Sequence, residues 1–119
     1  MVGKPSRVSI YVTTTFAGMH HWPAAPPQVM FLRNLHRHQF GVRVGLTVTH
    51  SDRQLEFFMV QAHVNTILQT KLLPTLRQEP AMSCEMMATF LGRAMIADGY
   101  PVSNVEVNED NENGAIVHF

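Results

Sequence analysis

The chain has 119 residues, 45% of them hydrophobic, and its nine Lys plus Arg are balanced by nine Asp plus Glu, which is the size and composition of one soluble globular domain spanning 1–119. Zero net charge leaves no general basic field to draw the protein to nucleic acid or anionic lipid, and no local basic patch replaces it. The lone Cys84 excludes an intrachain disulfide, the opening "MVGKPSRVSIYV" lacks a signal-peptide core, and no apolar run reaches membrane-span length, so a cytoplasmic location is expected.

In "VSIYVTTTF", residues 8 to 16, Val8, Ile10, Val12, Thr14 and Phe16 alternate with Ser9, Tyr11, Thr13 and Thr15. Period two predicts a β-strand with one buried face. The following "HWPAAPPQVMFLRN" carries prolines at 23, 26 and 27 and is expected to be a loop. Alternation returns in "QFGVRVGLTVTH", residues 39 to 50, where Phe40, Val42, Val44, Leu46 and Val48 define the apolar side of a second strand.

From about Phe58 to Leu73 the apolar residues recur at spacings of three and four, which predicts a helix that Pro74 limits or kinks. A second helix is expected over Ser83 to Ala97, with Ser83 as N-cap, Gly99 just past the end, and a stripe of Met86, Met87, Phe90, Leu91, Ala94 and Met95. Several of the eight methionines fall here, and core packing accounts for them. "PVSNVEVNED" and "NGAIVHF" then predict two short strands joined at "NEN". The predicted class is α+β: a four-stranded antiparallel sheet in the order ββααββ, with two helices on its apolar face. The other face is polar, and is either solvated or packed on another subunit.

Histidine is the compositional oddity. Five of the seven, at 20, 21, 36, 38 and 50, fall within one 31-residue stretch. In an extended chain His36 and His38 point the same way with Cα atoms about 6.5 Å apart, so both rings can reach one ion. His20 has the same parity on the first strand, and if the two strands pair, three imidazoles meet at one end of the sheet. Three imidazoles with a fourth position left to water or substrate suit catalytic zinc. The competing reading of "HRH" is a polar strand end with its rings in solvent. His21, next to His20, is expected to point away.

These motifs resemble those of the pyruvoyl-tetrahydropterin synthase family, which includes the carboxy-tetrahydropterin synthases. That family has F-x-A-x-H, L-H-G-H followed by an aromatic, a Ser or Thr two residues before Glu at the start of its second helix, and a Glu in its third strand. The corresponding stretches here are "FAGMH" (Phe16 to His20), "LHRHQF" (Leu35 to Phe40), "SCE" (Ser83 to Glu85) and "VEVNEDNENGA" (Val105 to Ala115). The resemblance covers nearly the whole chain, with Gly18 in place of an alanine and Arg37 in place of a glycine.

The resemblance implies the tunnelling fold, with His20, His36 and His38 as zinc ligands. Glu109 would anchor a pterin or purine-like ring, with Ser83 and Glu85 near the same heterocycle. A carboxylate suits that task because two adjacent N–H donors pair bidentately with its two oxygens. The resemblance also implies a homo-oligomer, trimer or hexamer, with ligand sites between subunits, and an activity on dihydroneopterin triphosphate. Departures bear on catalysis: the family's cysteine four residues before H-x-H is Leu32 here, and its Asp-His pair has no counterpart in "LQT" (Leu68 to Thr70) or "LRQ" (Leu76 to Gln78). The V-x-D-F before the first helix is replaced by "VQAH".

Substitutes for the proton shuttle are His63, His21 or Glu56. Cys84 does not match the family's cysteine and is expected to be a small buried hydrophobe. Loss of a general acid or base costs ~10²- to 10⁴-fold in rate. Two functions therefore stand side by side, a zinc-dependent pterin-processing lyase and a degenerate member that binds a pterin, purine or nucleotide without turnover. A metal-free structural oligomer is the third.

Overall fold

A computed structural model describes residue 3 and residues 5–119. Its sheet is a four-stranded antiparallel meander, β1 (Val8–His20), β2 (His36–Val48), β3 (Val102–Glu109) and β4 (Asn113–His118), hydrogen-bonded in that order. Between β2 and β3 lie α1 (Phe57–Ile67), a π-helical turn (Leu68–Leu72), α2 (Leu73–Gln78) and α3 (Cys84–Ala97). The class is α+β as expected, and among the described residues the α-helices number three rather than two.

The two-residue period puts even-numbered side chains of β1 and β2 on one side, where Val12, Phe16, Phe40, Val42, Val44 and Leu46 are buried. Strand β3 adds Val105 and Val107 to the same layer. Against it pack Val60, Val64 and Ile67 of α1 and Met87, Leu91 and Met95 of α3. Burying a side chain of this size stabilises by roughly 1.5–3 kcal/mol, so this layer dominates the fold's energetics.

Both predicted strands run further toward the histidines than alternation alone indicated. Strand β1 continues through Ala17, Gly18 and Met19 to His20, and β2 begins at His36, so their register pairs His20 with His36 and Gly18 with His38. The proline-rich connection is not wholly irregular, since Pro27–Arg33 form a 3₁₀ helix. Pro74 does not end the helical run. The Leu73 N–H reaches back to the Leu68 carbonyl, the wide i→i−5 bond of a π turn, and Pro74 sits just past that widened turn, in the first turn of α2.

Helix α3 starts as predicted: the Ser83 hydroxyl accepts the Met86 N–H at 3.1 Å, and Gly99 beyond its end has φ +93°. The far side of the sheet is polar. The Arg43 guanidinium lies 4.0 Å over the Tyr11 ring, and the Asn104 and Asn108 side chains lie over Gly45 and Gly41, where a Cβ would come within 2.5 and 2.6 Å of them. Among the described residues, both outer strands, β1 and β4, present an edge with no strand beyond it.

Candidate metal centre

His20, His36 and His38 lie on the helix-facing side of the sheet, at the end of the apolar layer. Pairing of β1 with β2 sets His20 directly across from His36, and the two-residue step along β2 brings His38 beside them. Strand β3 contributes Glu109, whose Cα partner is Phe40. Each of the four residues offers one ligand atom, and these atoms lie within 4.8 Å of one another. Phe40 forms the floor, its ring centroid 5.1 Å from that of His20 and 5.5 Å from that of His38.

All three rings are oriented from behind. His20 Nδ1 donates to the Met82 carbonyl at 2.9 Å, His36 Nδ1 to the Asn34 carbonyl at 2.8 Å, and His38 Nδ1 to Asp110 Oδ2 at 2.6 Å. These partners only accept, so each Nδ1 carries a proton and every neutral ring turns an Nε2 lone pair inward. Inside, His20 Nε2 is 2.8 Å from Glu109 Oε2 and His38 Nε2 is 3.4 Å from the same oxygen. The Nε2 atoms of His36 and His38 are buried and make no hydrogen bond among the described residues.

Leaving a buried polar atom unpaired costs ~1–3 kcal/mol. Two such atoms on rings held by oxygens behind them, with a carboxylate beside them, form the donor set and outer support of an imidazole-carboxylate metal site. The group can therefore hold a divalent cation. A nitrogen and a carboxylate oxygen 2.8 Å apart, as in His20 and Glu109, share a proton as a hydrogen bond, and a cation held by His20 Nε2 would take that proton's place.

The local sequence explains the support. Connection 79–83 passes under the end of β1, where the His21 N–H bonds the Pro80 carbonyl at 2.8 Å while His20 reaches Met82. After Glu109 the chain turns through Asp110 and Asn111, with φ of +54° and +59°, closed by the Glu112 N–H on the Glu109 carbonyl. Asp and Asn are the non-glycine residues that best tolerate this left-handed backbone. Hydrogen bonds from His38 and from the Gln39 N–H hold the Asp110 carboxyl below the usual carboxylate range.

Ser83 and Glu85 do not join the cluster. The Ser83 hydroxyl is engaged as the cap of α3, and the exposed Glu85 lines a groove of about 660 Å³ with Thr75, Glu79, Met82, Met86 and Phe90. That groove includes none of the three histidines or Glu109. Cys84 is buried as expected of a small hydrophobe. Burial, then the charges of Glu109 and Glu85, push its thiol up to about 12.

The three substitutes for the proton shuttle are engaged elsewhere. Glu56 caps α1, accepting from Phe58 N–H at 2.8 Å and Met59 N–H at 3.0 Å. His63 pairs with Asp98 at 2.7 Å, beyond the far end of α3, a 14-residue helix and so ~21 Å from the Met82 end. His21 turns its Nδ1 to the Arg33 carbonyl at 3.2 Å. Asp110 and the carbonyls of Asn34 and Met82 are the participants that sequence reasoning missed. A turn-forming Asp next to Glu109 was the available signal for the first, and backbone carbonyls leave none.

No family model and no curated protein matches the chain. Among solved structures it is similar to the crystal structure of an uncharacterized protein from Wolinella succinogenes, with a TM-score of 0.69 and 17% identity over 93% of this chain and 97% of that one. At that identity the likeness is one of fold.

Proposed function

We propose that this chain is a zinc-dependent pterin-processing enzyme resembling the pyruvoyl- and carboxy-tetrahydropterin synthases, with their ββααββ tunnelling fold, acting on dihydroneopterin triphosphate or a related heterocycle. The observation that carries the reading is the inward convergence of three imidazole nitrogens, two of them buried without a partner. Three imidazole nitrogen donors favour zinc over the harder magnesium and calcium. When bound, zinc supplies Lewis-acid polarisation of a substrate oxygen. With His20, His36 and His38 holding the ion, Glu109 is the group that reads paired N–H donors of the ring.

A homo-oligomer, trimer or hexamer, in the cytoplasm belongs to this proposal. The unpaired edges of β1 and β4 and the uncovered polar face of the sheet support it. Ser83 and Glu85 contribute to substrate binding only if a neighbouring subunit closes the site around them.

A second reading is a binder of a pterin, purine or nucleotide that does not turn it over. Leu32 at the family's cysteine position and the engagement of Glu56, His63 and His21 favour it. Incubating the zinc-loaded protein with dihydroneopterin triphosphate separates the two. New pterin products on chromatography support the enzyme, and tight retention of unchanged ligand supports the binder. A purified protein that takes up no zinc, cobalt or other transition ion overturns both.

A further inference from the structure

His20 and His36 lean on backbone carbonyls, whereas His38 alone leans on a side-chain carboxylate, at 2.6 Å. Asp110 is tied to the residue next to His38 in two ways, through its carboxylate and through its backbone amide. Its Oδ1 accepts the Gln39 N–H at 2.9 Å, and its own N–H donates to the Gln39 carbonyl at 2.9 Å. Phe40 meets the His38 ring from below, with an interplanar angle of 68°. Phe40 and Asp110 together support the ring, and Asp110 is the one of the two that can set where its proton sits.

Resting on the metal-centre reading above, we infer that Asp110 is a positioning residue that holds His38 in the Nδ1–H tautomer, so that its Nε2 lone pair faces the cation. Asp110 can do this because it has two acceptor oxygens for two donors, Gln39 N–H and His38 Nδ1–H. An asparagine at the same place has one oxygen and one NH₂ group. It tolerates the left-handed backbone equally well, and with its oxygen on Gln39 N–H it turns a donor toward His38. The ring then accepts at Nδ1, carries its proton on Nε2, and presents no lone pair to the ion. Carboxylate partners of ligating histidines contribute ~10–100-fold to metal affinity.

The test compares Asp110→Asn with Asp110→Gly. Glycine keeps the positive φ without strain and leaves His38 Nδ1 to water, with no opposing donor. Nitrogen-15 NMR of the histidine side chains in the metal-free protein reads the tautomer, and competition titration with cobalt and zinc reads affinity. The expected result is an Nε2–H signal for His38 in D110N only, with affinity lowered ~10–100-fold and lowered less in D110G. Equal losses in both variants accompanied by lower metal-free melting temperatures would assign Asp110 to the hairpin alone and overturn the inference.

Wild-type metal binding with an unchanged tautomer and affinity in D110N also overturns it, while leaving the metal-centre reading intact. A tautomer switch in D110N without metal uptake by wild type sinks the metal reading instead and keeps the orienting role. If D110N does not fold, D110G decides: undiminished affinity in that variant refutes the inference, and a several-fold loss at an unchanged melting temperature supports it.

Discussion

Replacing His36 by leucine is expected to move stability in opposite directions with and without metal. Without metal, the substitution removes a buried Nε2 that has no hydrogen-bond partner, relieving a penalty of ~1–3 kcal/mol. It also gives up the Nδ1 bond to the Asn34 carbonyl at 2.8 Å, an exposed contact whose net worth is ~1 kcal/mol. The balance is a change of ~0–2 kcal/mol in favour of the variant. For 119 residues the unfolding entropy near 60 °C is ~250 cal/mol/K at ~2.1 cal/mol/K per residue, so the melting temperature of the metal-free protein is unchanged or rises by up to ~8 °C.

With zinc free at one hundred times its dissociation constant, wild type gains ~2.7 kcal/mol, or ~11 °C on the same entropy. The variant, short of one ligand, gains little at the same zinc concentration. Thermal melts of both proteins in chelator and in excess zinc measure all four values. If His36→Leu melts several degrees below wild type in chelator, or keeps the full zinc-induced rise, His36 is an ordinary structural side chain and the reasoning from its unpaired nitrogen is refuted.

Glu56→Ala should cost ~1 kcal/mol as a lost helix cap, or ~4 °C in melting temperature, and leave zinc affinity unchanged. A large affinity loss would return Glu56 to the site. His63→Ala should likewise spare metal binding, since its partner is Asp98, and a competition titration checks both variants. Titrating zinc calorimetrically in buffers of different ionisation enthalpy should reveal proton release, because the cation displaces the proton between His20 and Glu109; a buffer-independent heat argues against that displacement. Cys84 makes stability depend on high pH. Its folded value of about 12 lies above the ordinary 9.0, so its contribution is intact below pH 9 and is lost as pH climbs toward 12. Denaturant unfolding should therefore fall more steeply over that window in wild type than in Cys84→Ala, and parallel slopes would contradict the burial of the thiol beside Glu109.

Much of the fold was legible because the sheet and α3 obey local rules. Period-two alternation on β1 and β2 marks the face that pairs with the helices, and Ser83 and Gly99 bracket α3 as cap and stop. Where chain geometry depended on a non-local bond, the reading was coarser. Pro74 signalled a disturbance, but only the Leu73 to Leu68 bond decides that the helix widens and continues. Gly18 and Met19 break the apolar alternation, and it takes pairing with His38 and Arg37 to carry β1 on to His20.

The sequence by itself determined which histidines share a face, because side-chain direction along a strand depends only on residue parity. Tertiary structure decided what surrounds them, because two of the three acceptors behind the rings come from 62 and 72 residues away, at Met82 and Asp110. It also decided that Glu109 stands at the imidazoles and that Glu56, His63 and His21 are bound elsewhere. Those contacts are set by strand register, turn geometry and the packing of α3, and residue spacing along the chain carries no record of them.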